Sequence, residues 1–102
     1  MSVKDIVSKY IHLRPKRITL ELYEEYSVIK LSGEELDEEV QVGDVSFSEF
    51  AYGVLEAYKE WYDELKRVPL TLREEIYKNN KVSLHLFPTG SAGIFDIFVE
   101  YF

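Results

Sequence analysis

The sequence predicts an α+β fold. It reads as a single domain over residues 1–102, with an antiparallel sheet formed from two similar helix-hairpin motifs and one long helix at 47–67. Three observations predict this. Apolar residues recur at helical spacing from Phe47 to Leu65, strict apolar-polar alternation marks 17–23, 81–87 and 94–102, and the first two alternating segments are near copies. Motif one spans about 1–45 and motif two about 46–102, each too small to bury its own apolar face.

The first element is a helix over 2–12. Ser2 is placed to cap it with Asp5 three residues on, and Val3, Ile6, Val7, Tyr10 and Ile11 form one stripe. Arg14-Pro15 ends it, because proline pushes the preceding residue out of the α region. Residues 17–23 then alternate, with Ile18, Leu20 and Leu22 on one face and Thr19, Glu21 and Tyr23 on the other. Glu24-Glu25-Tyr26 reads as a turn, Val28 to Leu31 as a second strand, and Ser32-Gly33 as its end. The acidic run Glu34 to Glu39 is expected to be a short helical turn capped by Ser32, followed by a short strand at Val40-Gln41-Val42.

Ser46 and Glu49 form a capping box for the long helix, whose stripe is Phe47, Phe50, Ala51, Val54, Tyr58, Trp61 and Leu65. Pro69 follows its end. Thr71 and Glu74 suggest a second capping box, for a short helix through Lys78. Val82, Leu84 and Leu86 then share a strand face, residues 88–93 form a turn-rich loop, and 94–102 returns as the partner strand. On that last strand Phe95, Ile97, Val99 and Tyr101 oppose Asp96, Phe98, Glu100 and Phe102.

The segment R-I-T-L-E-L-Y at 17–23 matches K-V-S-L-H-L-F at 81–87 at an offset of 64, and only Glu21 against His85 changes character. Each is followed by a turn and a second strand, at an offset of 66 after a longer loop. Two such units are expected to pack about a pseudo-two-fold axis and leave a groove at their junction.

The chemistry-bearing residues exclude more than they suggest. The chain has no Cys, so disulfides, thiol catalysis and cysteine metal sites are ruled out. His12 and His85 stand alone, without the spacing of a zinc site. The acids at 34–39 lack the ligand spacing and glycine of a calcium loop. Gly90-Ser91-Ala92-Gly93 is not a nucleophile elbow, since Thr89 stands at the first glycine position and a strand follows. No phosphate-binding glycine motif is present. The expectation is therefore no enzyme, no catalytic residues, no metal and no cofactor.

Net charge is -7 and unevenly spread. Residues 1–20 carry five bases and one acid, whereas residues 21–64 carry fourteen acids and two bases. Such a chain repels phosphate backbones overall, which disfavours nucleic acid as a partner. No apolar run approaches the ~18 residues of a membrane span, and no signal-peptide pattern opens the chain. An intracellular setting without membrane insertion is expected. One Met, one Gln and no Cys suit a hot habitat.

Aromatic residues make up 15% of the chain, including eight Tyr, more than one core accommodates. Tyr23, Tyr52, Tyr62, Phe87 and Phe98 fall on nominally polar faces, where aromatic side chains favour interfaces. They form the candidate protein- or peptide-binding set. The expected function is a non-enzymatic module that binds an extended segment in a groove between the two motifs. The alternative is a nucleic-acid-associated protein that uses the basic N-terminus. A homodimer is a further use for the same aromatics.

The strand pair R-I-T-L-E-L-Y and K-V-S-L-H-L-F, the Y-E-E-Y stretch and the I-F-D-I-F-V-E-Y-F terminus together resemble the small orphan proteins of filamentous viruses of hyperthermophilic archaea. The resemblance implies a host-cytoplasm or virion setting and a viral or host protein as partner. It brings no catalytic residue.

Overall fold

The computed structural model describes residues 2–66, 74–77, 80–88 and 93–101. Helix α1 (Val3–Tyr10) leads through a 3₁₀ turn at Ile11–Leu13 into β1 (Arg17–Leu22), β2 (Ser27–Gly33) and β3 (Leu36–Val42). Helix α2 (Phe47–Lys66) follows, then β4 (Glu74–Tyr77), β5 (Asn80–Pro88) and β6 (Ile94–Tyr101). The strands form one six-stranded sheet in the order β3-β2-β1-β6-β5-β4, and every neighbouring pair is antiparallel. The α+β class therefore holds.

The helices start where their caps demand. Ser2 Oγ accepts from the Asp5 amide at 3.1 Å while Asp5 accepts from the Ser2 amide at 3.3 Å. Ser46 and Glu49 repeat the exchange at 3.1 and 3.3 Å ahead of α2. Each box satisfies amides that the first helical turn leaves without an intrahelical acceptor.

One core holds both helices to one face of the sheet. Val3, Ile6 and Val7 of α1 and Phe50, Val54, Ala57 and Tyr58 of α2 are buried together with Ile18, Leu20, Ile29, Leu31, Leu84, Ile97 and Val99. The helices touch at Gly53, where an added Cβ would lie 2.7 Å from Val3 Cβ, so no larger residue fits that crossing unless the helices separate. Trp61 sits at the core margin, edge-on to Tyr58 and to Tyr101.

Two expectations are corrected. The acidic run is not a helical turn: residues 34 and 35 make a two-residue turn, Gly33 faces Leu36, and Leu36–Val42 extends the sheet as β3. Leu36, Val40 and Val42 share the core-facing side of β3 with the exposed Glu38 and cover the end of the core, while Asp37 and Glu39 fall on the other side, all on an edge strand that tolerates charge. Residues 74–77 are likewise a strand, paired with β5, rather than part of a helix; residues 71–73 lie outside the described residues. The backbone pairing with β5 is non-local, so a local capping pattern gives no sign of it.

The segments of the sequence repeat, β1–β2 and β5–β6, run in like directions two strand positions apart. A shift along the sheet relates them, not a two-fold axis. Leu20 faces Ile29, whereas its counterpart Leu84 faces Val99, four residues beyond the position the repeat assigns. The second hairpin also follows β4 rather than a helix.

Candidate functional site

The sheet face away from the helices carries a band of charge and aromatic rings. At its centre Asp96 of β6 stands opposite Thr19 of β1 and is 3% exposed. Its carboxylate accepts from Thr19 Oγ1 at 2.6 Å, Arg17 Nε at 3.2 Å and Arg17 Nη2 at 2.9 Å. A buried charge is costly unless charge-assisted bonds replace its water, and three do so here. Asp96 also raises the Arg17 pKa, chiefly by hydrogen bonding. The Arg17 guanidinium lies over the Phe98 ring, 5.5 Å from its centroid.

Beside this cluster Lys30 reaches Glu21 at 3.1 Å and Glu39 at 3.8 Å, crossing the strands as cross-strand ion pairs do. The hydrogen bond to Glu21 holds the ammonium pKa above its ordinary value. Tyr23 donates to Glu21 at 2.9 Å, which raises its own pKa, and stacks on Tyr26 with centroids 5.0 Å apart. Between the Arg17 and Lys30 side chains lies an open hollow of about 390 Å³, reaching from Asp37 of β3 to Ile94 of β6. It therefore crosses the line where the two halves of the chain meet in the sheet.

Of the five sequence-predicted residues, the three whose side chains are described, Tyr23, Tyr52 and Phe98, lie in separate places. Phe98 (37% exposed) and Tyr23 (49% exposed) belong to the open face, but at opposite ends of β1, roughly 20 Å apart by the rise per strand residue. Tyr52, 64% exposed, lies in the helical layer beside a hollow lined by Lys4 and Asp44. Tyr62 lies within α2 and Phe87 stands opposite Asp96 in the β5–β6 ladder; the side chains of both are outside the described residues. Sequence reasoning missed the Arg17–Thr19–Asp96 cluster and Tyr26. The only local sign was an acid and a threonine on strand faces that were expected to be solvated.

The outer rim of this face is β3. It occupies the edge of the sheet, and Asp37, Glu38 and Glu39 are exposed along it. Among the described residues no strand pairs with its outer side.

Fold and surface together define a two-layer α+β domain with one sheet face uncovered by its helices. Among the described residues, no helix is long and apolar enough to cross a membrane. No family model, curated protein or solved structure matches the chain.

Proposed function

We propose that the chain is a non-enzymatic protein- or peptide-binding module that takes an extended cationic segment along β3 and across the open face. The observation that carries this reading is the outer edge of β3, unpaired among the described residues, with its three consecutive acids. A free edge offers backbone donors and acceptors for strand addition. Self-pairing of this edge would set acid against acid, which is unfavourable, whereas a Lys- or Arg-bearing strand meets opposite charge. The hollow over Lys30 and Arg17 provides the adjoining groove, reaching both halves of the chain. Tyr23 and Phe98 flank it as apolar contacts for intervening side chains.

The resemblance to small archaeal-virus proteins makes a viral or host protein the partner in this reading. Similarity of the two hairpins as motifs belongs to the same reading; it is supported by the shared burial of Leu20 and Leu84 and opposed by the differing ladder registers. The nucleic-acid alternative draws less support, because the N-terminal bases are engaged locally. Lys4 pairs with Glu60, Lys16 with Glu34 and Arg17 with Asp96, while Arg14 lies over Trp61 and Tyr101.

The test is fluorescence anisotropy with labelled peptides that alternate Lys with Val or Thr, alongside duplex DNA, at two salt concentrations. Affinity on the order of micromolar for the peptide is expected, because an extended segment pays ordering entropy on docking. The double substitution Glu38→Lys, Glu39→Lys should abolish it. Peptide binding that survives this reversal, or DNA binding that falls steeply with salt and needs Lys9 or Lys16, overturns the reading.

A further inference from the structure

A cleft distinct from the hollow over Arg17 and Lys30 lies between the 3₁₀ turn, the β2–β3 turn and the end of β6. It is an open cleft of about 640 Å³, within the usual range for small-molecule sites. Its charged lining is Arg14, Lys16, Glu34, Glu35 and Glu100. Lys16 and Glu34 already satisfy one another at 2.9 Å. Glu100 lies 2.8 Å from His85 Nε2, close enough for an ion pair, though the two groups are not aligned for a hydrogen bond. Among the described residues, Arg14 and Glu35 make no ion pair, with each other or with any other group. Of the charged side chains described in this cleft, Arg14 and Glu35 are thus the two that stand outside an ion pair.

Arg14 is also the one non-glycine residue with positive φ among the described residues, at φ 53° and ψ 66°. Glycine or asparagine ordinarily takes such a place, and strained backbone of this kind clusters at binding sites. The guanidinium of this residue lies over two rings, 5.2 Å from the Tyr101 centroid and 5.6 Å from that of Trp61. Tyr101 is fixed in turn by donating to the Pro15 carbonyl at 2.8 Å. Stacking uses the faces of a guanidinium and leaves its in-plane N–H fork available, the geometry that takes a carboxylate bidentately.

We propose that this cleft binds a small zwitterion of the amino-acid type, with its carboxylate on Arg14, its ammonium on Glu35 and its apolar side chain against Leu13 and Val99. A doubly charged phosphate fits less well, because three carboxylates line the same cleft.

The test is a chemical-shift titration of the isotope-labelled full chain with L-leucine, leucinamide, N-acetyl-leucine and inorganic phosphate. Leucine should give saturable shifts at the amides of His12, Arg14 and Glu100. The two blocked analogues should bind about tenfold or more weakly, since each removes one charge-assisted contact. Arg14→Gly keeps the backbone conformation accessible, and Glu35→Gln removes the anion at an exposed turn; both should lose the leucine response while the rest of the spectrum is preserved. Absence of a saturable shift with leucine overturns the proposal. So does an equal response to leucinamide, a response to phosphate instead, or a leucine response that survives Arg14→Gly.

Discussion

Thr19 stands directly across the β1–β6 ladder from Asp96 and donates its hydroxyl to the buried carboxylate at 2.6 Å. The hydroxyl and the Arg17 fork together make a charged group tolerable on a sheet face where Asp96 has almost no access to water. Thr19→Val keeps the shape and β-propensity of the strand but removes one donor. The expected loss is about 1–3 kcal/mol, the usual cost of leaving a buried acceptor short of a partner. Denaturant titration of Thr19→Val, Asp96→Asn and the double variant should show coupling between the two sites; additive losses would mean that the bond contributes nothing.

Gly53→Ala should destabilise the protein even though alanine is the better helix former by roughly 1 kcal/mol. The added methyl would meet Val3 Cβ at 2.7 Å and Cγ1 at 2.8 Å. Pairing it with Val3→Ala should recover part of the loss. A rise in Tm for the single variant would show that α1 yields at that crossing without cost.

Tyr58 and Tyr101 share a hydroxyl contact of 2.5 Å, and Tyr101 spends its proton on the Pro15 carbonyl, so Tyr58 is the donor of the pair. Tyr58→Phe therefore removes the bond it donates to Tyr101, at about 0.5–1.5 kcal/mol. Tyr101→Phe breaks that bond and the one to the Pro15 carbonyl, and should cost more. Equal losses in urea titrations would contradict this order of donation.

Among the described residues, two carboxylates make the protein sensitive to acid. Asp5 is held below the usual carboxylate range by hydrogen bonds to Ser2, and Glu34 by its hydrogen bond and ion pair with Lys16. A carboxylate whose folded pKa is depressed contributes stability above its unfolded pKa and loses it as pH falls through the folded value. Stability should therefore decline as pH drops below the ordinary carboxylate range. Asp5→Asn and Glu34→Gln should each flatten that decline, as read from denaturation midpoints between neutral and acid pH; unchanged slopes would rule these two groups out.

The parts of the fold that were legible in sequence are those set by neighbours along the chain. Ser2 with Asp5 and Ser46 with Glu49 marked both helix starts to the residue, because a capping box closes within one turn. The alternation at 17–23 located β1 because its Ile18–Leu20 face needs only a core to point at. The acids around Leu36 concealed β3, whose existence depends on β2 having an unpaired side to fill. The candidate site was hidden for a related reason. Whether Asp96 is solvated or buried depends on the register of β1 against β6, which no local pattern fixes. The stacking of Arg14 on Trp61 and Tyr101 likewise joins three distant segments.

The middle seam of the sheet joins residues as far apart in the chain as Thr19 and Asp96, a separation of 77. Each three-stranded meander has short internal connections, but the seam closes only when nearly the whole chain has been looped back. The entropy of that closure falls on the last contact to form, so it governs how fast the protein folds more than how stable it is. Until the seam closes, β1 and β6 are themselves open edges, two sticky margins that the finished sheet hides at its centre. Aggregation risk therefore concentrates in that interval, and lengthening the chain between β3 and β4 would prolong it while leaving every contact of the native sheet intact.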